Sequence, residues 1–276
     1  MTIPFFGDIG WFYLSARNAL LYAQFPLLGI TTSIVWLHQG PLWTFMLIPA
    51  FWLSNFHPLS PIVFILFINL FLISNFYYLI SKIFGKNTAL LSTIVLILNP
   101  WLMMHSRTPY HTSPIPLFEV LFLLCLIKQR DFLAGLFLGL LYQLHLLTFI
   151  FWPLMLSRLN KKSIFGFILG ILPFLIAGPT QTLGIFVWIG KHIFVGFGGT
   201  GLASEAYRVV LFIPSLLLLS LILYKLPKLL RILIIVAILL FVNLSFDINK
   251  YAPFYPQYLE SSKSGEYLRW WLDRVK

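Results

Sequence analysis

Carboxylates and cysteine are the scarce chemistry of this chain: eight Asp and Glu and a single Cys occur in 276 residues. The lone Cys125 lies in an apolar run, which excludes a disulfide framework and a thiolate metal site. Charge of either sign is thin, at 10% of residues, against roughly 25% in an ordinary soluble domain. So few charged side chains do not cover a soluble surface, and the solvent for most of the chain is lipid. A nucleic-acid module is excluded too, because the net charge of +11 is scattered between apolar runs instead of being gathered on one face. The opening MTIPFF lacks the basic start of a signal peptide.

What the chain has in abundance is hydrocarbon. Hydrophobic residues make up 59% of it and fall in runs at about 61–81, 88–104, 114–127, 132–157, 164–178, 209–224 and 229–246. Between the runs sit Lys82/Lys86, Lys128/Arg130, Arg158/Lys161/Lys162 and Lys225/Lys228/Arg231, against one acid, Asp131. Basic loops of this kind face the cytoplasm, so each neighbouring pair is separated by an even number of crossings. The expected fold class is all-α: a polytopic helical membrane protein with about eight transmembrane helices and further juxtamembrane helices outside. Residues 132–157 begin and end at cytoplasmic charges within 26 residues, so they read as two short or re-entrant helices with a tip near His145.

The same parity sets the domains. Residues 1–58 form an external loop with two juxtamembrane helices, 59–246 the transmembrane domain and 247–276 an external tail lying against the membrane through Tyr267, Trp270 and Trp271. The segment 183–197 reads as an external interfacial helix, with Gly196 to Gly201 as a flexible loop after it. Both termini are then extracytoplasmic, in the cell membrane. Ten Lys/Arg and one acid fall inside, nine Lys/Arg and six acids outside, and Glu119 in the membrane.

Over residues 9–23, Phe12, Tyr13, Ala16 and Leu20 recur at helical spacing, with Arg17 and Asn18 off the stripe. Asp8 stands before that helix as an N-cap, as a general base for a hydroxyl nucleophile, or as both. His38 on its turn, Arg107 beyond a span, His145 at the hairpin tip and Glu119 inside a span are the other polar groups at or within the membrane. Such groups mark substrate paths; the plainer readings are a surface histidine packed on Trp36, an interfacial anchor and hydrogen bonds between helices. The histidines, His111 of HTSP among them, lack the spacing and carboxylate partners of a dedicated metal site. A divalent metal held by Asp8 through waters is compatible with the sequence and unmarked by it.

Four stretches resemble the GT-C glycosyltransferases, a group that includes the protein O-mannosyltransferases, the aminoarabinose transferase of lipid A and the lipopolysaccharide-core transferases. GDIGWFYLSAR is similar to the family's Asp-Glu helix, with Asp8 at the first acid and Arg17 nine residues on. HQGPLW resembles the turn that opens the second juxtamembrane helix, with His38 at the place of a phosphate-contacting cation. LNPWLMMHSRTPYHTSP is similar to the family's Pro…Ser-Arg…Asp-Pro passage, and FLAGLFLGLLYQLHLLTFIFWP to its short hairpin, with His145 at a Lys position. Ile9 stands where the second acid is usual and Ser113 where an Asp is. The likeness covers about residues 6–163 and implies one further hydrophobic segment of about 20 residues upstream in the reading frame.

The resemblance implies transfer of a sugar from a polyprenyl-phosphate donor to a hydroxyl of a glycan, lipid or protein acceptor, by inverting single displacement. Asp8 would be the base. Arg17, His38, Arg107, His111, Glu119 and His145 would bind the donor phosphate or substrate. Two rival classes are a non-catalytic or truncated scaffold of the same fold, and a lipid or solute transporter. A transporter built from repeats would carry a second copy of GDIG…HQGP or of the hairpin, and the chain has none.

Overall fold

A computed structural model describes residues 7–99, 102, 105–195, 201–245, 269, 271 and 273. The segment 1–6, the glycine-rich stretch 196–200 and most of the tail, including Tyr267 and Trp270, lie outside the described residues. Among those described the chain is helical, with no strand and one isolated bridge, Thr31 to His38. The helices are α1 (Gly7–Tyr22), α2 (Leu42–Leu53), α3 (Ser60–Phe84), α4 (Lys86–Ile97), α5 (Ile115–Ile127) and α6 (Asp131–Leu144). After a 3-10 turn (Leu146–Phe151) come α7 (Trp152–Leu156), α8 (Lys161–Gly170), α9 (Leu172–Ala177), α10 (Pro179–Val195), α11 (Gly201–Lys225) and α12 (Lys228–Ser245).

The frame is α3. Its 25 residues rise about 37 Å at 1.5 Å each, enough for a hydrocarbon layer of about 30 Å. Among the described residues it is the one helix long and apolar enough to cross a membrane alone. Ile65, Leu72, Phe76 and Leu79 face the core, while Leu66, Phe67, Leu70 and Phe71 on the other side are equally apolar and exposed. Gly85, at φ 83°, ends the helix in a conformation that favours glycine and starts α4 at once.

The expected runs break where proline removes a donor. The run 164–178 is two helices parted at Ile171, because Pro173 opens α9. The hairpin 132–157 turns at His145, as its length requires, but only its first arm is a regular α-helix. Pro153 has no N–H to give the preceding turn, so the second arm is 3-10 until Trp152 starts α7.

The closest helix contact is α6 on α8. Gly135 and Gly139 of α6 lie against Gly166 and Gly170 of α8, and a Cβ at any of the four would collide with backbone of the facing helix. Small residues four apart on both partners let the two backbones touch without intervening side chains. Asn160 begins α8 with a capping box shared with Ser163, and its amide donates to Asp131 at 2.6 Å.

These contacts give the molecule two ends. Lys82 and Lys128 both lie over the Tyr78 ring, Asp131 meets Asn160, and Phe84 packs on Tyr224, so the four basic turns gather at the Gly85 end of α3. At the opposite end the Tyr13 hydroxyl donates to the carbonyl of Pro58. Trp271 of the tail also comes here. It is fully buried between Tyr13 and Phe51 and donates to the carbonyl of Phe56, so it is a core residue and not the membrane-facing anchor expected of it.

Candidate functional site

The end of α3 at Pro58 collects most of the polar side chains singled out in the sequence. The first turn of α1 carries Asp8, half-buried, inside the helix and not before it. There its charge meets the positive end of the helix dipole. The Tyr110 hydroxyl donates to Asp8 Oδ2 at 3.0 Å, joining α1 to the 105–113 loop across 102 residues. Phe12, one turn along α1, packs against both Tyr110 and His111.

His111 is the centre of the cluster. It is 4% exposed, and neither ring nitrogen has a hydrogen-bond partner among the described residues. Burial, with the nearby His145 adding to it, holds its pKa well below the ordinary histidine value. The His145 ring lies parallel to it, with centroids 6.2 Å apart, and meets Trp188 of α10 edge-on. His145 also caps the 3-10 turn: its Nδ1 accepts from the N–H of Leu147 at 3.1 Å. A neutral ring that accepts at Nδ1 carries its proton on Nε2.

The loop 23–41 closes over this tip. Gly40 donates its N–H to the carbonyl of Gln143 at 2.8 Å, and the approach is close enough that a Cβ on Gly40 would strike the Gln143 side chain. The Gln143 amide in turn donates to the carbonyl of Gly170, tying the hairpin to α8. His38 is held two residues away from this joint. Its backbone N–H donates to Gln181 Oε1 at 3.0 Å, and its Nδ1 lies 3.2 Å from the carbonyl of Trp36.

The structure thus joins Asp8, His111 and His145 through Tyr110, Phe12 and Trp188, and leaves the other expected site residues outside that contact chain. Arg17 lies about 13 Å along α1 from Asp8, donates to Asn18 and stacks over Tyr22. Arg107 shares the loop of Tyr110 and is exposed. Glu119 is fully buried on α5, both carboxyl oxygens without a partner among the described residues, one turn before Phe122. That phenylalanine packs edge-on to Phe151 in the hairpin's second arm.

Ile9 and Ser113 take structural places. Ile9 is fully buried in the core, a position where a second carboxylate would have no solvent. Ser113 donates to the carbonyl of Thr108 at 2.7 Å and closes the loop that presents Tyr110. Among the described residues no group of three or more His, Cys, Asp or Glu is placed to hold a metal. Tyr110, Gln143 and Trp188 were not legible as site residues. The one signal was the Tyr110-His111 doublet between two apolar runs. No family model, curated protein or solved structure matches the chain.

Proposed function

We propose that the chain is a polytopic membrane glycosyltransferase of the GT-C type, moving a sugar from a polyprenyl-phosphate donor to an acceptor hydroxyl on the extracytoplasmic face. The observation that carries the proposal is the Asp8 carboxylate, held by the Tyr110 hydroxyl beside the paired rings of His111 and His145, at the end away from the basic turns. Membrane placement is supported by the length of α3 and by the exposed apolar side chains Leu66, Phe67, Leu70 and Phe71 on its side away from the core. Orientation is supported by the clustering of Lys and Arg at one end, the cytoplasmic one.

In the reaction Asp8 takes the proton of the acceptor hydroxyl. The hydroxyl oxygen attacks the anomeric carbon and forms the new glycosidic bond. The bond from that carbon to the phosphate oxygen breaks, its electron pair leaves with the polyprenyl phosphate, and configuration inverts. Tyr110 holds Asp8 Oδ2 and leaves Oδ1 to receive the proton. Growing phosphate charge meets the Nε2–H of His145 and the exposed Arg107 on the Tyr110 loop. His38 and Arg17 are the outer polar contacts for the substrate, and Glu119 is the polar group on the lipid's path into the bundle.

The test is transfer of labelled sugar from polyprenyl-phosphate donors in membranes, at matched expression. Asp8→Asn keeps the size and still accepts from Tyr110, so the protein folds while the rate falls roughly 10²–10⁴-fold. Wild-type rates in Asp8→Asn would overturn the catalytic role. No transfer by the wild type with any donor would favour a non-catalytic scaffold of the same fold. For topology, Arg107→Cys should label from outside and Lys162→Cys only after permeabilisation, in a Cys125→Ser background. Both residues are exposed, and labelling of both from one side would sink the orientation.

A further inference from the structure

A cavity of about 280 Å³ opens at the basic end, between the start of α4 and the turn joining α11 to α12. Gly85, Lys86, Asn87 and Thr88 form one side, Tyr224 and Arg231 the other. Its build is that of an anion receptor. No side chain caps α4, so its first N–H groups are open at the positive end of the helix dipole. Arg231 is pinned by donating Nε to the carbonyl of Leu226 at 2.6 Å and Nη2 to that of Tyr224 at 3.1 Å, which leaves Nη1 to donate. No carboxylate lines the cavity.

Thr88 is the independent sign of a ligand. It lines the cavity and is only 1% exposed, yet its hydroxyl makes no hydrogen bond among the described residues. The hydroxyl is thus free to donate to an oxygen of an anion bound in the cavity.

We propose that this cavity holds the phosphate of an anionic phospholipid from the surrounding cytoplasmic leaflet. Charge and surface both favour that occupant. Lys82, Lys225 and Lys228 belong to the same end, and Ile83, Leu90, Leu229 and Leu230, within two residues in sequence of the lining residues, are exposed and offer apolar surface for acyl chains. The volume suits a phosphodiester and falls short of the roughly 300–1,000 Å³ of a site for a larger ligand. The proposal rests on the membrane placement above and not on sugar transfer.

The experiment is native mass spectrometry of the purified full chain in detergent, titrated with phosphatidylglycerol or phosphatidylcholine, with inorganic phosphate as competitor. The wild type should retain phosphatidylglycerol in preference to phosphatidylcholine, and millimolar phosphate should not displace it. Lys86→Ala should weaken retention about fivefold, the effect of one cation near a lipid surface. Thr88→Val, which keeps the side-chain shape, should weaken it about two- to tenfold. Equal retention of both lipids, unchanged retention in both variants, or displacement by inorganic phosphate would overturn the proposal. Sugar transfer is not read in this experiment, and carbonate extraction of membranes tests the membrane placement separately.

Discussion

At the Pro58 end of α3, His105, Thr108, His111, Thr112 and Ser113 are each at most 5% exposed. At the Gly85 end, Lys82, Lys86, Lys128 and Lys162 all stay exposed. The first arrangement is expensive at the His111 ring nitrogens and the Thr112 hydroxyl, which have no partner among the described residues, since such a buried polar group costs about 1–3 kcal/mol. The second costs little and orients a chain across a membrane. Buried rings and hydroxyls in one loop therefore set the Pro58 end apart from the exposed lysines of the Gly85 end.

The largest test of that contrast compares Asp8→Asn with Lys162→Ala in the transfer assay. The first should lose roughly 10²–10⁴-fold in rate and the second should match the wild type; similar losses in both would erase the distinction between the ends. Next comes the joint between them. Gly139→Leu forces a side chain into backbone of α8 and should lower stability by about 1–3 kcal/mol. Unfolding in detergent at the wild-type temperature would show that the glycine seam is not a close contact.

Acid should act on the buried end alone. Burial lowers the pKa of His105 to about 3 and holds His111 well below its ordinary value. In the unfolded chain both charge near pH 6.5. Their folded pKa values are depressed, so the full stability is present above about pH 6.5 and is lost as pH falls toward 3. Each histidine contributes a slope of up to about 1.4 kcal/mol per pH unit in that window. Thermal unfolding at pH 7 and pH 5 should show the loss, and His105→Gln should flatten it; an unchanged profile in the variant would assign the acid sensitivity elsewhere. The smallest effect is at Tyr110→Phe. Removing the hydroxyl that orients Asp8 should cost about 0.5–1.5 kcal/mol, a two- to tenfold slower transfer with the substrate KM little changed. A loss as large as that of Asp8→Asn would give Tyr110 a direct part in the chemistry.

Much of the architecture was legible along the chain. The stripe Phe12, Tyr13 and Ala16 is buried as its spacing requires, and the hairpin turns at His145 because 26 residues between two basic turns leave no other place. Hydrophobic periodicity reports on neighbours three and four apart, and basic turns report on the nearest aqueous boundary, so both are local quantities that sequence carries directly. Trp271 shows the limit. Its apolar ring predicted burial, but whether in lipid or in protein depended on a pocket made by Tyr13 and Phe51, more than 200 residues earlier.

The site itself was decided by tertiary structure. Asp8 meets Tyr110 and His111 faces His145 because the α6–α8 seam and the closure of loop 23–41 on Gln143 set where the hairpin tip lies. Composition determined that the chain is helical and rich in apolar surface, and charge spacing determined which turns share an end. Which few polar side chains converge follows from packing between distant helices, and packing depends on shape at contacts that no local pattern encodes.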